Sequence, residues 1–281
     1  MGLATTDFDF VRELVFREAG IVLEPGKEYL VEARLTGLSR GNGNLSIEEM
    51  VRRMRASTIE PLRRKVVDAM TTNETSFFRD GVPFEVLRTG VLPDLIAKRA
   101  ASKTLNVWCA ASSSGQEPYT IAMTMVDAFP ELLHWKINFI ASDLSQEMLD
   151  RCKLGKYSQL EVNRGLPAKL LVKYFTKQGL EWQVIDKLRN MIEFREINLL
   201  QTWPIMPALD LVFIRNVLIY FDMNTKKKIL ERARRLMKPD GYLFLGGAET
   251  TLNLDDSFER TLAGTAGCYR LRPPIVGAKA A

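Results

Sequence analysis

The stretch whose reading decides the fold is Asn106 to Pro118, NVWCAASSSGQEP. It reads as a buried strand, a small-residue turn and the start of a helix. Asn106 to Ala110 is short and mostly apolar. Ala111 to Gly115 is a run of small residues, which lets a backbone approach a ligand closely. Glu117-Pro118 opens a helix, with the proline suited to its first position. A strand that feeds a helix N-terminus through such a turn makes a nucleotide-type pocket, because the free backbone N–H groups there favour a carboxylate or phosphate. Glu117 at the mouth favours a positive group, so a ligand carrying both charges is expected. An ordinary strand-to-helix turn of an α/β domain is the plainer alternative.

Composition bounds what surrounds this turn. The chain has 281 residues, enough for one large domain or two unequal ones with a real core. It is 46% hydrophobic and 26% charged, the balance of a soluble globular protein. No uninterrupted apolar run is long enough to span a membrane, and no basic-then-apolar leader opens the chain; membrane insertion is not expected. Cys109, Cys152 and Cys268 are scattered and form no CxxC, which supports neither a zinc site nor a disulfide framework and fits a reducing cytoplasm. His134 is the only histidine, which argues against chemistry built on a histidine base or on clustered histidine ligands. A net charge of +5 favours an acidic partner without demanding nucleic acid.

On the N-terminal side of the turn, the first seventy residues read as helical. Thr6 with Asp9 forms a capping box, and Phe8, Val11, Leu14, Val15 and Ala19 share a face that ends at Gly20. A second helix spans about Lys27 to Ser39 and stops at the GNGN turn, Gly41 to Asn44. Ser46 with Glu49 opens a third, to about Arg55. Thr58 with Pro61 opens a fourth, to about Met70. Between Met50 and Val66, Arg52, Arg53, Arg55, Arg63, Arg64 and Lys65 face Glu60 alone. Such a run is either a solvated face or a docking surface for an acidic helix or a nucleic acid. MTTNETSFFRD, Met70 to Asp80, then breaks the pattern. Its hydroxyls and amide offer hydrogen bonds, Phe77-Phe78 an apolar wall or an anchor, and Arg79 a planar charge.

A helix near Pro83 to Arg99 leads into an α/β pattern. Strands are expected at Leu105–Ala110, Lys136–Ser142, Ile192–Ile197, Leu209–Ile214, Tyr242–Gly246 and Cys268–Leu271. Asp143, ending the second strand, stands where a nucleoside ribose is usually held, with an N-cap for SQEMLDRCK as the plainer alternative. Residues Tyr157 to Gln183 read as irregular and polar, and Val184 to Leu200 carries two short strand-like stretches that read as a small hairpin around Asn190. Asn224 to Met237 reads as a basic helix, Lys238 to Gly241 as a turn, and a short helix is expected near Asp256. The tail after Arg272 carries no signal. Alternating strands and helices imply a mostly parallel, doubly wound sheet, whose ligands bind at the strands' carboxyl ends. Glu117, Asp143, Asn198, Arg215 and Asn216 all fall there. The first turn lacks GxGxxG, which disfavours a dinucleotide and leaves S-adenosylmethionine.

The blocks TTNETSFFRD, WCAASSSGQEPYTIA, ASDLS, EINLL, FIRNVLIYF and MKPDGYLFLGGAE, in that order, resemble the CheR family of chemotaxis receptor glutamate methyltransferases. The resemblance implies an α/β, doubly wound, Rossmann-like domain that uses S-adenosylmethionine (product S-adenosylhomocysteine). It implies a small all-helical N-terminal domain (residues 1–70), a linker (71–90), a catalytic domain (91–272) with a small antiparallel β-subdomain near 175–194, and a tail (273–281). Asn73, Thr75, Arg79, Glu117, Asp143, Asn198, Leu199, Arg215 and Asn216 match the family's cofactor site. Arg79 and Tyr220 match positions facing the transferred methyl group. The basic helices around Arg53 match the face that docks on a chemoreceptor's cytoplasmic methylation helices, with no nucleic acid expected.

Two departures stand out. Gly247-Ala248-Glu249 replaces the family's histidine and serine before the glutamate, leaving that loop's role open. The link after Tyr174-Phe175 looks shorter than in members that grip a receptor's C-terminal pentapeptide, so no tight binding of such a tether is expected. The competing readings are a methyltransferase of RNA or of another protein, and a non-catalytic S-adenosylmethionine-binding signalling module.

Overall fold

The computed structural model describes residues 3–41, 43–57, 61–261 and 267–273. They fall into two units. The first holds residues up to Thr72 together with Asn198–Thr202 and Tyr220–Thr225; the second holds the rest.

The first unit is built on four helices: α1 (Thr5–Ala19), α2 (Glu28–Gly41), α3 (Ile47–Ala56) and α4 (Pro61–Met70). The apolar stripe of α1 is buried from Phe8 to Ala19, and Gly20 ends the helix at φ 71°, a left-handed conformation suited to glycine. The expected Thr6–Asp9 box does not form. Ala4 precedes the helix without a side-chain cap, Thr6 already lies inside it, and Asp9 pairs with Arg12 at 3.0 Å. Ser46 does cap α3, accepting from the Glu49 N–H at 3.1 Å, but the Glu49 carboxylate turns to Arg52 and Arg53 instead of closing a box. Thr58 and Glu60 lie outside the described residues. The guanidinium of Arg34 donates to the carbonyls of Ala69, Met70 and Thr71 and to the Thr72 hydroxyl, which satisfies acceptors at the end of α4.

The two distant segments are tied into this unit by their own hydrogen bonds. The Asn198 amide donates to the Glu18 carbonyl at 2.7 Å, and the Val22 N–H to the Tyr220 carbonyl at 2.9 Å. A Cβ on Gly20 would come within 2.7 Å of Leu200, so glycine there permits close packing as well as the turn.

The second unit opens on α5 (Val82–Val86), a wide π turn (Leu87–Val91) and α6 (Leu92–Arg99). The sequence pattern reads this as one helix. Pro93 has no N–H to donate back into the preceding turn, and the wide turn stands where that bond is missing.

Next come β1 (Thr104–Ala110), α7 (Gln116–Ala128), a short 3-10 turn (Pro130–His134), β2 (Lys136–Asp143) and α8 (Gln146–Leu154). The stretch expected to be irregular is ordered: β3 (Lys156–Ser158), α9 (Gln159–Asn163), α10 (Ala168–Tyr174), β4 (Phe175–Gln178) and β5 (Glu181–Val184). The hairpin joins β4 to β5, and β3 pairs on the other side of β5 to make a separate antiparallel sheet. Asn190, where a hairpin was expected, only ends the short α11 (Asp186–Arg189). The alternation there is weak because the strands are three or four residues long and half exposed.

The main sheet is completed by β6 (Ile192–Glu196), β7 (Leu209–Ile214), α12 (Met223–Leu236), β8 (Met237–Leu245), β9 (Phe258–Arg260) and β10 (Cys268–Leu271). Its order is β6-β2-β1-β7-β8-β10-β9, parallel through the first five strands and antiparallel in the last two. Two expectations fail here. Lys238 to Gly241 lies within β8, where the register with β7 shifts. The segment around Asp256 leads into β9 and not a helix, because Phe258 turns inward and pairs along β10. Every residue of β7 is buried, and Phe213 stacks on Phe244 with ring centroids 4.5 Å apart. Each such core side chain stabilises the fold by about 1.5–3 kcal/mol.

Candidate active site

From β1 the chain steps outward to β2 and β6, then returns to place β7 on the other flank of β1. The direction reverses between β1 and β7, and ligands of open α/β sheets bind at such a reversal. Ala110 pairs with Ile214 there, so the turn after β1 and the Arg215-Asn216 pair leave the sheet side by side.

The turn is held in unusual conformations. Ala111, Ser113 and Gly115 have φ of 51°, 48° and 98°. Left-handed backbone in a non-glycine residue is costly and persists only where neighbours enforce it. Here the Ser112 N–H donates to the Ser142 carbonyl at 2.9 Å, and the Ser113 N–H to Asp143 Oδ2 at 2.8 Å. The Ser113 hydroxyl donates to the Asn73 carbonyl at 2.7 Å. The expectation that small residues leave room for a ligand needs correction at Gly115. A Cβ there would sit 2.8 Å from the Tyr157 hydroxyl and 3.0 Å from Cys152 Sγ. That glycine admits protein atoms, and the Tyr157 hydroxyl donates to the Ser114 carbonyl at 2.8 Å.

Asp143 is buried, and its second oxygen accepts the Ser145 N–H at 2.9 Å. A carboxylate offers about four lone-pair sites, so this clamp and a ribose diol are compatible. Ser145 itself caps α8.

Arg215 is a buried brace. Its side chain is fully enclosed, and one nitrogen reaches Glu117 while the other donates to Asp80 at 2.8 Å and to the Arg79 carbonyl at 3.2 Å. The ring of Phe84 lies 5.3 Å from the guanidinium. Two carboxylates thus share one cation, a cluster of net charge −1. Glu117, expected at the mouth to favour a positive group, meets the guanidinium of Arg215. Burial, with the Glu117 carboxylate alongside, pushes the Cys109 thiol well above its ordinary range. Burial pushes Cys152 up as well.

The NETSFFRD loop closes one side. Phe78 and Asp80 are left-handed at φ 50° and 68°. Phe77 is wholly buried edge-on to Tyr157 and Phe175, so of the two aromatics it is the anchor. Arg79 donates to the Glu74 carbonyl at 2.9 Å. Asn73 and Thr75 line a cavity of about 460 Å³ with Ser114, Gln116, Arg151 and Arg164. Asn216, left-handed at φ 58°, follows Arg215.

The second unit therefore gathers Asn73, Thr75, Arg79, Glu117, Asp143, Arg215 and Asn216. Asn198, Leu199 and Tyr220 group with the helical unit. The Asn198 side-chain oxygen Oδ1 accepts the Leu200 N–H at 2.9 Å, Leu199 is buried and Tyr220 half-buried.

The six basic residues differ among themselves. Arg55 meets Asp7 at 3.1 Å and lies over the Phe10 ring, and Arg63 donates to the Met54 and Ser57 carbonyls beside the same ring. Those two brace the helices. Arg52, Arg53 and Arg64 expose their charge, although Glu49 and Asp68 partner them. Lys65 is exposed. The lopsidedness in sequence reflects a window that omits Asp7, Glu49 and Asp68.

One residue of the site escapes sequence reasoning. Glu249 is buried and accepts backbone N–H groups from Asn216, Val217, Leu218 and Gly246 at 2.8, 2.9, 2.7 and 2.6 Å. A lone glutamate after two glycines and an alanine carries no local signal of that role.

Comparison with known proteins gives one consistent result. The family model described as CheR methyltransferase, SAM binding domain, matches residues 73–266, and the CheR methyltransferase all-alpha domain matches residues 6–71. Chemotaxis protein methyltransferase 1 of Pseudomonas aeruginosa is 42% identical over 277 residues, 97% of this chain and 100% of that one. Chemotaxis protein methyltransferase Cher2 of Pseudomonas putida matches to the same extent. The chemotaxis protein methyltransferase of Vibrio parahaemolyticus is 38% identical over 268 residues, 94% of this chain and 96% of that one. Among solved structures, glycopeptide N-methyltransferase MtfA with S-adenosylmethionine is 15% identical, covers 63% of this chain and 58% of that one, and has a TM-score of 0.32, too distant to carry an argument.

Proposed function

The chain belongs to the CheR methyltransferase family, and from that premise we propose that it methylates glutamate side chains of chemoreceptors. It is an S-adenosylmethionine-dependent methyltransferase. The finer assignment of acceptor and of residue roles is our reading.

The residues present fit the cofactor. Asp143, pinned through both oxygens, suits a ribose diol, as the sequence expects. The cluster of Glu117, Asp80 and Arg215 carries one excess negative charge, which suits the ammonium of the cofactor. This cluster, at the reversal of the sheet, is the observation that carries the reading. Asn73, Thr75, Asn216 and the Asn198-Leu199 segment supply neutral hydrogen bonds. When bound, S-adenosylmethionine supplies a methyl group on a positively charged sulfur, already activated for transfer.

The protein's task is then positional. A glutamate has an ordinary pKa near 4.3 and is ionised at neutral pH, so no general base is required. Arg79 and Tyr220 orient the incoming carboxylate, and alignment alone accelerates such a transfer greatly. A tight grip on the carboxylate blunts the nucleophile, which favours a positioning role shared between the two. The exposed Arg52, Arg53, Arg64 and Lys65 steer an acidic receptor helix, with Arg55 and Arg63 bracing the helices beneath. We also hold that the chain works without a receptor's C-terminal tether; strong, specific affinity for such a peptide would count against this.

The test is incubation with methyl-labelled S-adenosylmethionine and a panel of receptor cytoplasmic fragments. Label should enter at least one fragment and vanish when its acceptor glutamates are replaced by alanine. Label entering RNA in preference to every fragment would overturn the proposal.

A further inference from the structure

Glu249 lies in the loop that departs from the family pattern, and the reaction as described does not use it. Its Oε2 accepts the N–H of Asn216 at 2.8 Å and of Gly246 at 2.6 Å. Its Oε1 accepts those of Val217, Leu218 and Ile219 at 2.9, 2.7 and 3.3 Å. Five backbone donors thus converge on one buried carboxylate. They belong to two loops, one after β7 and one after β8. The first of these includes Asn216, left-handed at φ 58°, and leads straight to Tyr220.

The chemistry of this contact is one-sided. Both oxygens of the glutamate side chain act as acceptors, and every group facing them is a backbone donor. Four consecutive N–H groups pointing at one anion make a fixed turn, because each one left unpaired in a buried place is costly. The fit is also tight from the other side. A Cβ on Gly246 would lie 2.7 Å from both Asn216 Nδ2 and Glu249 Oε2, and 2.8 Å from the Asn216 nitrogen. Gly246 has no left-handed backbone, so the close approach alone demands glycine. Glycine at 246 and glutamate at 249 are therefore two halves of one clamp.

We propose that Glu249 is a positioning residue for the methyl transfer: its carboxylate fixes the turn that presents Asn216 and Tyr220. This rests on the roles given to those two residues above. The Gly247-Ala248 departure then leaves function intact, since neither side chain enters the clamp. A Cβ at Gly247 would meet nothing within 4 Å.

The experiment compares wild type, Glu249→Gln and Gly246→Ala, with Asp240→Asn as a control of folding. Glutamine keeps the shape but aims an NH2 at backbone donors; alanine wedges Asn216 away with the charge intact. Asp240 pairs with Arg99 at the opposite end of the sheet. All four are assayed for methyl transfer to the fragment that wild type labels, and for S-adenosylhomocysteine binding by calorimetry, well below their melting temperatures. Misplacement of this order slows catalysis by about ten- to a hundred-fold, so both clamp variants should lose at least about ten-fold in kcat/KM while Asp240→Asn keeps it, even where its melting temperature falls as far. A smaller loss in the clamp variants, or an equal loss in Asp240→Asn, overturns the proposal. Should Glu249→Gln fail to fold, Gly246→Ala decides. An inactive wild type would instead count against the proposed function.

Discussion

Replacing Asp143 by asparagine and Glu117 by glutamine separates the two ends of the cofactor site. Asp143 takes the Ser113 N–H at 2.8 Å and the Ser145 N–H at 2.9 Å. Asparagine keeps one oxygen and turns an NH2 toward the other donor. A hydrogen bond to a charged group is worth about 1.5–3 kcal/mol, so the loss at a ribose amounts to roughly ten- to a hundred-fold in Kd. Glu117→Gln retains an acceptor for Arg215 but changes the cluster's net charge from −1 to zero. The attraction for an ammonium falls by a similar amount. Two ligands tell these losses apart: S-adenosylhomocysteine has both the ribose and the ammonium, whereas methylthioadenosine has only the ribose. Calorimetry should find Asp143→Asn weakened for both ligands and Glu117→Gln weakened for S-adenosylhomocysteine alone. Equal weakening of both ligands by Glu117→Gln would refute the assignment of that residue to the ammonium.

Other expectations are simpler. Tyr220→Phe should slow turnover by about ten-fold while S-adenosylhomocysteine affinity stays within about three-fold, consistent with a general positioning effect; isothermal calorimetry beside a steady-state assay checks both. The Arg99 guanidinium beside Asp240 holds that carboxyl below its usual range. Its stabilising effect is then present above the unfolded value of about 3.9 and is lost as pH falls through the lower folded value. Asp240→Asn should therefore flatten the loss of melting temperature in that acid window. Cys109, Cys152 and Cys268 are all buried, and burial pushes the Cys268 thiol up to about 11. The native protein should resist alkylation at pH 8, and all three should react once it is unfolded.

What the sequence discloses depends on how each signal is written. Strong apolar runs such as LDLVFI place β7 correctly, because burial on both faces needs an unbroken run. The β3–β5 sheet is hidden because its strands are short and half exposed, so alternation has little length in which to register. The capping expectation at Thr6 fails because a serine or threonine three residues before an acid is compatible with several helix starts, and the packing of Phe8 and Asp7 selects an earlier one. Site residues at strand ends are legible because topology brings strand ends together. The shared guanidinium of Arg215 and the grip of Glu249 on the loop after β7 are not, since these contacts join residues separated by 30 or more positions. The charge count over α3 and α4 misleads for the same reason: Asp7 answers Arg55 from 48 residues away (55 minus 7).

The account depends most on the acceptor being a carboxylate. Receptor fragment labelled with a radioactive methyl group, isolated and exposed to mild base, tests this directly. A carboxyl methyl ester should release its label as volatile methanol. Label that stays on the protein after base would mark an N-methyl product and contradict the account.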